Sequence, residues 1–151
     1  MSDWADTTRV TGEVIFAAGG SLKGEFHLQV STATHPTPET PLEMLNRPET
    51  FFPLTLSDDD VRLVSKDRVV AVSFGEGASE PQPLPQTEPV SFEVSMADGS
   101  EYRGQVHIEL RPPYTRGLDL LNQTERFFAL TVPGGTWYLS RSQVRHVRPH
   151  E

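Results

Sequence analysis

Apolar and polar residues alternate with a period of two in several short segments, which is the pattern of β-strands with one buried face. The segments EFHLQV and QVHIEL show it best. The apolar residues of these segments are expected to face a core, and they are Phe26, Leu28, Val30, Val106, Ile108 and Leu110. Between them, His27 and His107 are expected to point outward from the sheet.

Further strands are predicted for FFPLTL, VRLVS and RVVAV, and later in the chain for FFALTV, TWYLS and QVRHV. AAGGS and ADGS indicate hairpin turns, because Gly19 and Gly99 tolerate the positive φ that tight turns require. PLEMLN and GLDLLN each predict one helical turn, and SDWAD near the N-terminus has some helical character. Five short strands in about 60 residues predict a small, strongly bent barrel.

The chain contains an internal repeat. LEMLNRPETFFPLT, which begins at Leu42, returns as LDLLNQTERFFALT 76 residues later. An offset of 80 aligns EVIFAAGGSLKGEFHL with EVSMADGSEYRGQVHI, and an offset of 75 aligns VSKDRVVAV with LSRSQVRHV. Because the three blocks are collinear, the sequence predicts an internal duplication.

The predicted fold class is therefore all-β, with two tandem five-stranded, strongly bent barrels related by duplication. Residues 9–74 form barrel 1 and residues 90–149 form barrel 2. Residues 1–8 are expected to be a flexible N-terminus. Residues 75–89, GEGASEPQPLPQTEP, are rich in Pro, Gly and Glu and predict a semi-extended linker.

Charge and composition exclude several classes of function. The net charge is −8, and an acidic protein repels a polyphosphate backbone on average, which disfavours non-specific nucleic-acid binding. The absence of cysteine excludes disulfides, thiolate zinc sites and cysteine nucleophiles. No apolar run approaches the roughly 18 residues of a membrane helix, and the N-terminus lacks a signal peptide, so a cytoplasmic location without membrane association is expected.

No catalytic constellation is evident, since a Gly-x-Ser-x-Gly elbow, a phosphate-binding glycine loop and a repeated Ser/His/Asp grouping are all missing from the sequence. We therefore expect neither enzymatic activity nor a cofactor or metal. The histidines at matched places lack a partner at metal-ligand spacing. His146 and His150 belong to a basic C-terminal segment that is interpreted as solvated. The run Asp58, Asp59 and Asp60 is interpreted as a solvated turn, because the second repeat has PGG there.

Asn46 and Asn122 occupy the same place in the two repeats, and Glu43 and Asp119 precede them at the same spacing. Two interpretations stand. In the first, which is preferred, the carboxylate caps a helical turn and the asparagine ends it. In the second, the loop is a binding rim that each barrel displays once.

Two aromatic residues, Phe51 and Phe127, are expected to point away from the core-facing Phe52 and Phe128. Trp137 lies in a later strand beside another aromatic residue. Outward aromatic residues near a strand edge are candidates for an interface. That interface is either with a separate partner or between the two barrels of the chain.

The order of the motifs resembles the Sm-like fold, with Gly-x-Leu/Phe early, Asp-x-Leu-Asn in the middle and hydrophobic-Ser-Lys/Arg-x-x-Val-x-x-Val at the end. It is also similar to an uncharacterised bacterial domain with the pattern Asp-x-Leu-Asn, Phe-x-x-Leu-Thr and Lys-x-x-Ile/Val. The closing frame consists of Val64, Val69, Val72, Leu139, Val144 and Val147. Where Sm-like proteins carry the Arg-Gly that helps to hold an RNA base, this chain has Ser65-Lys66 and Ser140-Arg141.

The duplication, the absent catalytic set and the outward Phe51 and Phe127 favour a non-enzymatic protein-interaction or self-assembly module, a scaffold or adaptor that assembles with itself or binds a protein partner. Sm-like barrels close rings through their edge strands, so the resemblance implies a ring-like homo-oligomer with two barrels per chain. The alternative is an Sm-like protein that binds RNA or single-stranded nucleic acid, with stacking and phosphate contacts from Arg111, Tyr114, Arg116, Arg126 and Arg141. A third possibility is a sensor that binds a small ligand at the loops of Asn46 and Asn122.

Overall fold

The computed structural model of the chain describes residues 7–30, 39–75, 86–109 and 116–150. Within these ranges ten β-strands and two short helices form an all-β architecture, which confirms the predicted class. The strands are β1 (Thr7–Phe16), β2 (Ser21–Gln29), β3 (Phe51–Thr55), β4 (Val61–Ser65), β5 (Val69–Phe74), β6 (Thr87–Met96), β7 (Glu101–Glu109), β8 (Phe127–Val132), β9 (Gly135–Ser140) and β10 (Val144–His150). The helices are α1 (Pro41–Leu45) and α2 (Gly117–Leu121).

All ten strands belong to one antiparallel sheet, in the order β10-β6-β7-β8-β9-β5-β1-β2-β3-β4. We call residues 7–75 the first half and residues 86–150 the second half. The first half has the order β5-β1-β2-β3-β4, and the second half has the corresponding order β10-β6-β7-β8-β9. The halves join where β5 pairs with β9, so the sheet is continuous across the chain, a junction that the sequence pattern did not predict.

The strand registers agree between the halves. Phe51 lies opposite Ser65 in β3–β4, and Phe127 lies opposite Ser140 in β8–β9. The β1–β5 and β6–β10 pairs also agree in register, since Val14 lies opposite Val72 in the first pair and Val94 lies opposite Val147 in the second. We therefore call two residues matching when they are 76 apart in α1/α2 and β3/β8, or 75 apart in β4/β9 and β5/β10.

The buried side chains form two cores, and at the junction each core includes residues of the other half. The first core is built around Phe26, whose ring stacks on Phe52 at 5.6 Å, and it also contains Phe127 and Tyr138 from the second half. The second core consists mainly of residues from β6 to β9, and it takes Val70 and Ala71 from the first half. Each half therefore buries apolar surface of the other, which is the main contribution to their association.

Local features follow the sequence closely. Gly19 and Gly99 take positive φ values of 100° and 91° in the two predicted hairpin turns. The helices α1 and α2 coincide with the predicted helical turns. β1 begins at Thr7 and β6 at Thr87, inside the predicted N-terminal and linker segments. SDWAD and Leu110 lie outside the described residues.

Candidate interaction surface

The junction inside the chain shows how the two halves recognise each other. β5 pairs with β9. In this pairing Ala71, Val72 and Ser73 lie opposite Leu139, Tyr138 and Trp137, in that order. Phe127 and Tyr138 of the second half are each only 1% exposed and lie in the first core. Phe127 does point away from the core of its own half, but the first half covers it. Of the two alternatives for the Phe127 interface, the structure shows the contact between the two halves of the chain, and Phe127 is not exposed to a separate partner.

Asn46, the residue that ends α1, joins the two halves directly. Its Oδ1 accepts a hydrogen bond from the backbone N–H of Phe127 at 2.8 Å, and its Nδ2 donates to the Phe127 carbonyl at 3.2 Å. Both polar atoms of the carboxamide are thus used on one residue of β8. Asn46 also ends the helix, since its backbone N–H donates to Leu42 O at 3.0 Å.

The turn that presents Asn46 is held by its cap. The backbone N–H of Glu43 donates to Thr40 Oγ1 at 3.1 Å, and the Glu43 carboxylate accepts from the Thr40 backbone N–H at 2.9 Å. In α2 the Asp119 carboxylate accepts from the backbone N–H of Arg116 at 3.1 Å. The capping interpretation of both carboxylates therefore agrees with the structure.

Polar contacts surround the apolar part of the junction. Arg126 of the second half reaches Asp67 of the first, with Nη1 and Oδ1 2.5 Å apart. Lys66 of the first half is buried, and its Nζ donates to Arg47 O at 2.7 Å. Burial, followed by repulsion from the Arg126 guanidinium, lowers the pKa of Lys66 to about 8.

The basic residues predicted to contact nucleic acid differ in whether they contact other groups of the protein or are exposed. Arg141 is engaged within the protein: it donates to Leu120 O at 2.9 Å and to Glu125 O at 2.7 Å, and it lies over the Phe128 ring at 5.3 Å. Arg126 contacts Asp67, whereas Arg116 is exposed ahead of α2. Arg111 and Tyr114 lie outside the described residues.

The histidine predictions are partly wrong. His27 is buried rather than exposed, and its Nε2 lies 2.9 Å from Oγ1 of Thr55 on the neighbouring strand β3. Burial is the main cause that lowers the pKa of His27 below its usual value. The corresponding His107 is half-buried. His146 and His150 are exposed on β10, as predicted, and His150 contacts Glu93 at 2.7 Å.

Around Asp58, Asp59 and Asp60 the chain makes a tight, exposed turn in which Asp58 and Asp59 have positive φ. Within the described ranges, no group of three His, Asp or Glu side chains is arranged to hold a metal ion. An open cavity of about 620 Å³ lies beside α2, and its lining includes His107, Asp119 and Asn122. The lining therefore offers several hydrogen-bonding groups.

The end of the sheet at β4 leaves apolar side chains exposed. Phe51 is 56% exposed and Leu63 is 69% exposed, and Val61 beside them is exposed as well. The residues that match Phe51 and Leu63 are Phe127 and Tyr138, which the junction buries. In the described part of the chain no strand pairs with the outer side of β4. We call Phe51, Val61 and Leu63 the apolar edge.

The opposite end of the sheet is formed by β10, and α2 belongs to the same half. Asn122 is exposed there, and its carboxamide makes no hydrogen bond to the residues that the structure describes. Leu118 is 57% exposed, although the matching Leu42 packs on the first core. Trp137 is half-buried near the junction and packs on Tyr102 with ring centroids 5.2 Å apart.

One sequence signal could have located the junction, although the sequence-based predictions did not use it. Val69, Val70, Ala71 and Val72 are all fully buried, and a continuous apolar run of this kind is typical of a strand covered on both faces. The corresponding segment of β10 is VRHV, whose polar residues are typical of a strand at the end of a sheet. This difference between the two repeats is what distinguishes the inner strand β5 from the edge strand β10.

No protein-family model, curated protein or solved structure matches this chain. Among the helices in the described ranges, none has the length and apolar character needed to cross a membrane. The interpretation of the surface therefore rests on its own geometry.

Proposed function

We propose that this chain is a non-enzymatic self-assembly module, built from two Sm-like, five-stranded barrels related by duplication, which associates with further copies of itself through the ends of its sheet. One observation carries the proposal. The apolar edge is exposed, whereas Phe127 and Tyr138, which match Phe51 and Leu63, are buried by a strand-paired neighbour.

Exposed apolar side chains on an unpaired strand are costly unless something covers them. Full burial of a side chain such as Phe51 or Leu63 contributes about 1.5–3 kcal/mol. An edge strand also offers backbone donors and acceptors that another strand can pair with. Both contributions favour association through β4.

The shared strand order and registers of the two halves support the interpretation as a duplicated barrel. Sm-like barrels assemble into rings through their edge strands, so the resemblance favours a ring with two barrels per chain. The β5–β9 pairing inside this chain is in keeping with that mode of association.

The proposal is tested by the native mass of the purified protein in solution, measured over a range of concentrations and at low and moderate salt. We expect a multiple of the 16.8 kDa chain mass for the wild type. Phe51→Ser should reduce the mass toward that of a single chain. Val30→Ser is the matched control, since Val30 is a partly exposed apolar residue that follows β2 and is outside the apolar edge.

A wild type that stays a single chain at every concentration would overturn the proposal, and so would an assembly that Phe51→Ser leaves intact. The ratio of absorbance at 260 and 280 nm, recorded in the same runs, tests the alternative. Co-purifying nucleic acid whose binding weakens steeply with salt would favour the nucleic-acid function instead.

A further inference from the structure

We infer that the second half carries a binding site for the β3–β4 edge of another copy of this chain, in which Asn122 holds the main chain of Phe51. This inference rests on the proposed self-assembly and specifies its partner surface. The site consists of Asn122, Leu118 and the outer side of β10.

The junction within the chain provides the template. There the first half contributes β5 and Asn46, and the second half contributes β9 and Phe127. The residues that match the first contribution are in β10 and at Asn122. The residues that match the second are in β4 and at Phe51. One chain therefore presents both sides of the same kind of contact, at opposite ends of its sheet.

Asn122 has the position that this contact requires. It ends α2 as Asn46 ends α1, with its backbone N–H donating to Leu118 O at 3.1 Å. Its carboxamide is exposed and makes no hydrogen bond within the part of the chain that the structure describes. In that part, likewise, no side chain donates to or accepts from the main chain of Phe51. A carboxamide that bonds both the N–H and the carbonyl of one residue satisfies two groups at once.

The second core is incompletely closed at this place. Four of its residues are half-exposed, whereas the matching residues of the first core are almost fully buried. The half-exposed residues are Leu120, Leu121, Val144 and Val147, and their buried counterparts are Met44, Leu45, Val69 and Val72. In the first core, Phe127 and Tyr138 of the other half complete the packing. Phe51 and Leu63 of another copy would complete the second core in the same way.

The internal pairing also fixes the register between copies. The pair Val72–Tyr138 corresponds to Val147 opposite Leu63 of the next copy. The pair Ser73–Trp137 corresponds to Arg148 opposite Arg62 of the next copy. The contact is head to tail, since the two surfaces are different, and such contacts close into rings or continue as filaments. Arg62 is already paired with Asp60 at 2.9 Å within its own chain, which offsets the repulsion between the two arginines.

Disulfide cross-linking tests the register directly, because the wild-type chain has no cysteine. Arg62→Cys and Arg148→Cys are prepared as separate proteins, mixed and oxidised, and linked dimers are counted. Both arginines are exposed, so the folded chain tolerates the substitutions. Opposed residues on antiparallel strands have Cα atoms about 4.5–5.5 Å apart, which suits a disulfide.

The matched control mixes Arg62→Cys with Arg145→Cys. Arg145 is three residues from Arg148 on β10, which places the two cysteines about 10 Å apart along the strand and outside disulfide range. We expect at least about tenfold fewer linked dimers in this mixture than in the first. Asn122→Ala, introduced into the Arg148→Cys protein, should reduce linking in the first mixture by about tenfold.

The outcomes separate this inference from the function on which it rests. Equal linking in both mixtures, or linking of Arg62→Cys with itself, would overturn the site and register while the oligomeric mass still supports self-assembly. The same holds if Asn122→Ala has no effect on linking. A wild type that is a single chain in solution would overturn both.

Discussion

Asn46 and Asn122 are the same residue type at the end of equivalent helices, yet their surroundings differ. Asn46 bonds the main chain of Phe127 with both atoms of its carboxamide, whereas Asn122 is exposed. The sequence alone was consistent with two roles for these two asparagines. Ending a helical turn and binding a neighbouring backbone both favour asparagine, and only the neighbour distinguishes them.

Replacing Asn46 with alanine should lower the free energy of unfolding by about 1–3 kcal/mol, because a buried strand end loses two hydrogen bonds. Asn122→Ala should leave that free energy unchanged. Urea unfolding of both variants, carried out in the Phe51→Ser background so that association does not contribute, measures the difference. Equal losses for the two variants would contradict the role assigned to Asn46.

His27 shows the limit of reading one strand alone. Alternation assigned it to the face opposite the neighbouring apolar residues, yet the side chain is buried, with Nε2 2.9 Å from Oγ1 of Thr55 on the neighbouring strand β3. A side chain on the polar face of a strand can be buried among residues that lie far away in the sequence, and Thr55 is 28 residues from His27.

Two glycines at corresponding places in β2 and β7, Gly24 and Gly104, allow each strand to approach the next one closely. A Cβ atom on Gly24 would lie 2.7 Å from the carbonyl oxygen of Thr55, and one on Gly104 would meet the carbonyl oxygen of Thr131. Both contacts are with backbone, so the strands would have to separate. The chain uses glycine here for close approach, as strands do at sharp bends.

Gly104→Ala should therefore destabilise the fold by about 1–3 kcal/mol, which is the usual cost of overpacking. The control is Gly135→Ala, because a Cβ there has no atom within 4 Å and its φ is not positive. Thermal unfolding followed by circular dichroism measures both variants. Similar melting temperatures for the two alanine variants would show that β7 and β8 can move apart at little cost.

Across the whole molecule, the proposed self-assembly should link assembly to stability, because another copy would complete the second core. A partner that binds the folded state alone stabilises it by about 2.7 kcal/mol at a hundredfold excess over its dissociation constant. For a chain of this size each kcal/mol corresponds to roughly 2–4 °C in melting temperature.

The melting temperature of the wild type should accordingly rise by several degrees when protein concentration is raised about a hundredfold. Phe51→Ser should melt at a temperature that does not depend on concentration. Differential scanning calorimetry at several concentrations provides the measurement. A wild-type melting temperature independent of concentration would mean that association does not stabilise the fold.

The local pattern of the sequence was sufficient to predict the elements. Alternation predicted the strands, Gly19 and Gly99 marked the hairpin turns, and the segments before Asn46 and Asn122 predicted the short helices. These features depend on interactions between residues close in sequence, such as turn conformation and helix capping. A sequence without an alignment contains this information directly.

The tertiary structure alone decided which edges are covered. Phe51 and Phe127 share a local sequence and register, but Phe51 is exposed and Phe127 is buried, because β9, unlike β4, pairs with a strand of the other half. Tyr138 on β9 is buried at this pairing, whereas the matching Leu63 on β4 is exposed. Burial at an edge depends on which distant strand pairs there, and the residues of one strand do not specify that partner. The sequence determined the units, and long-range strand pairing determined the surface.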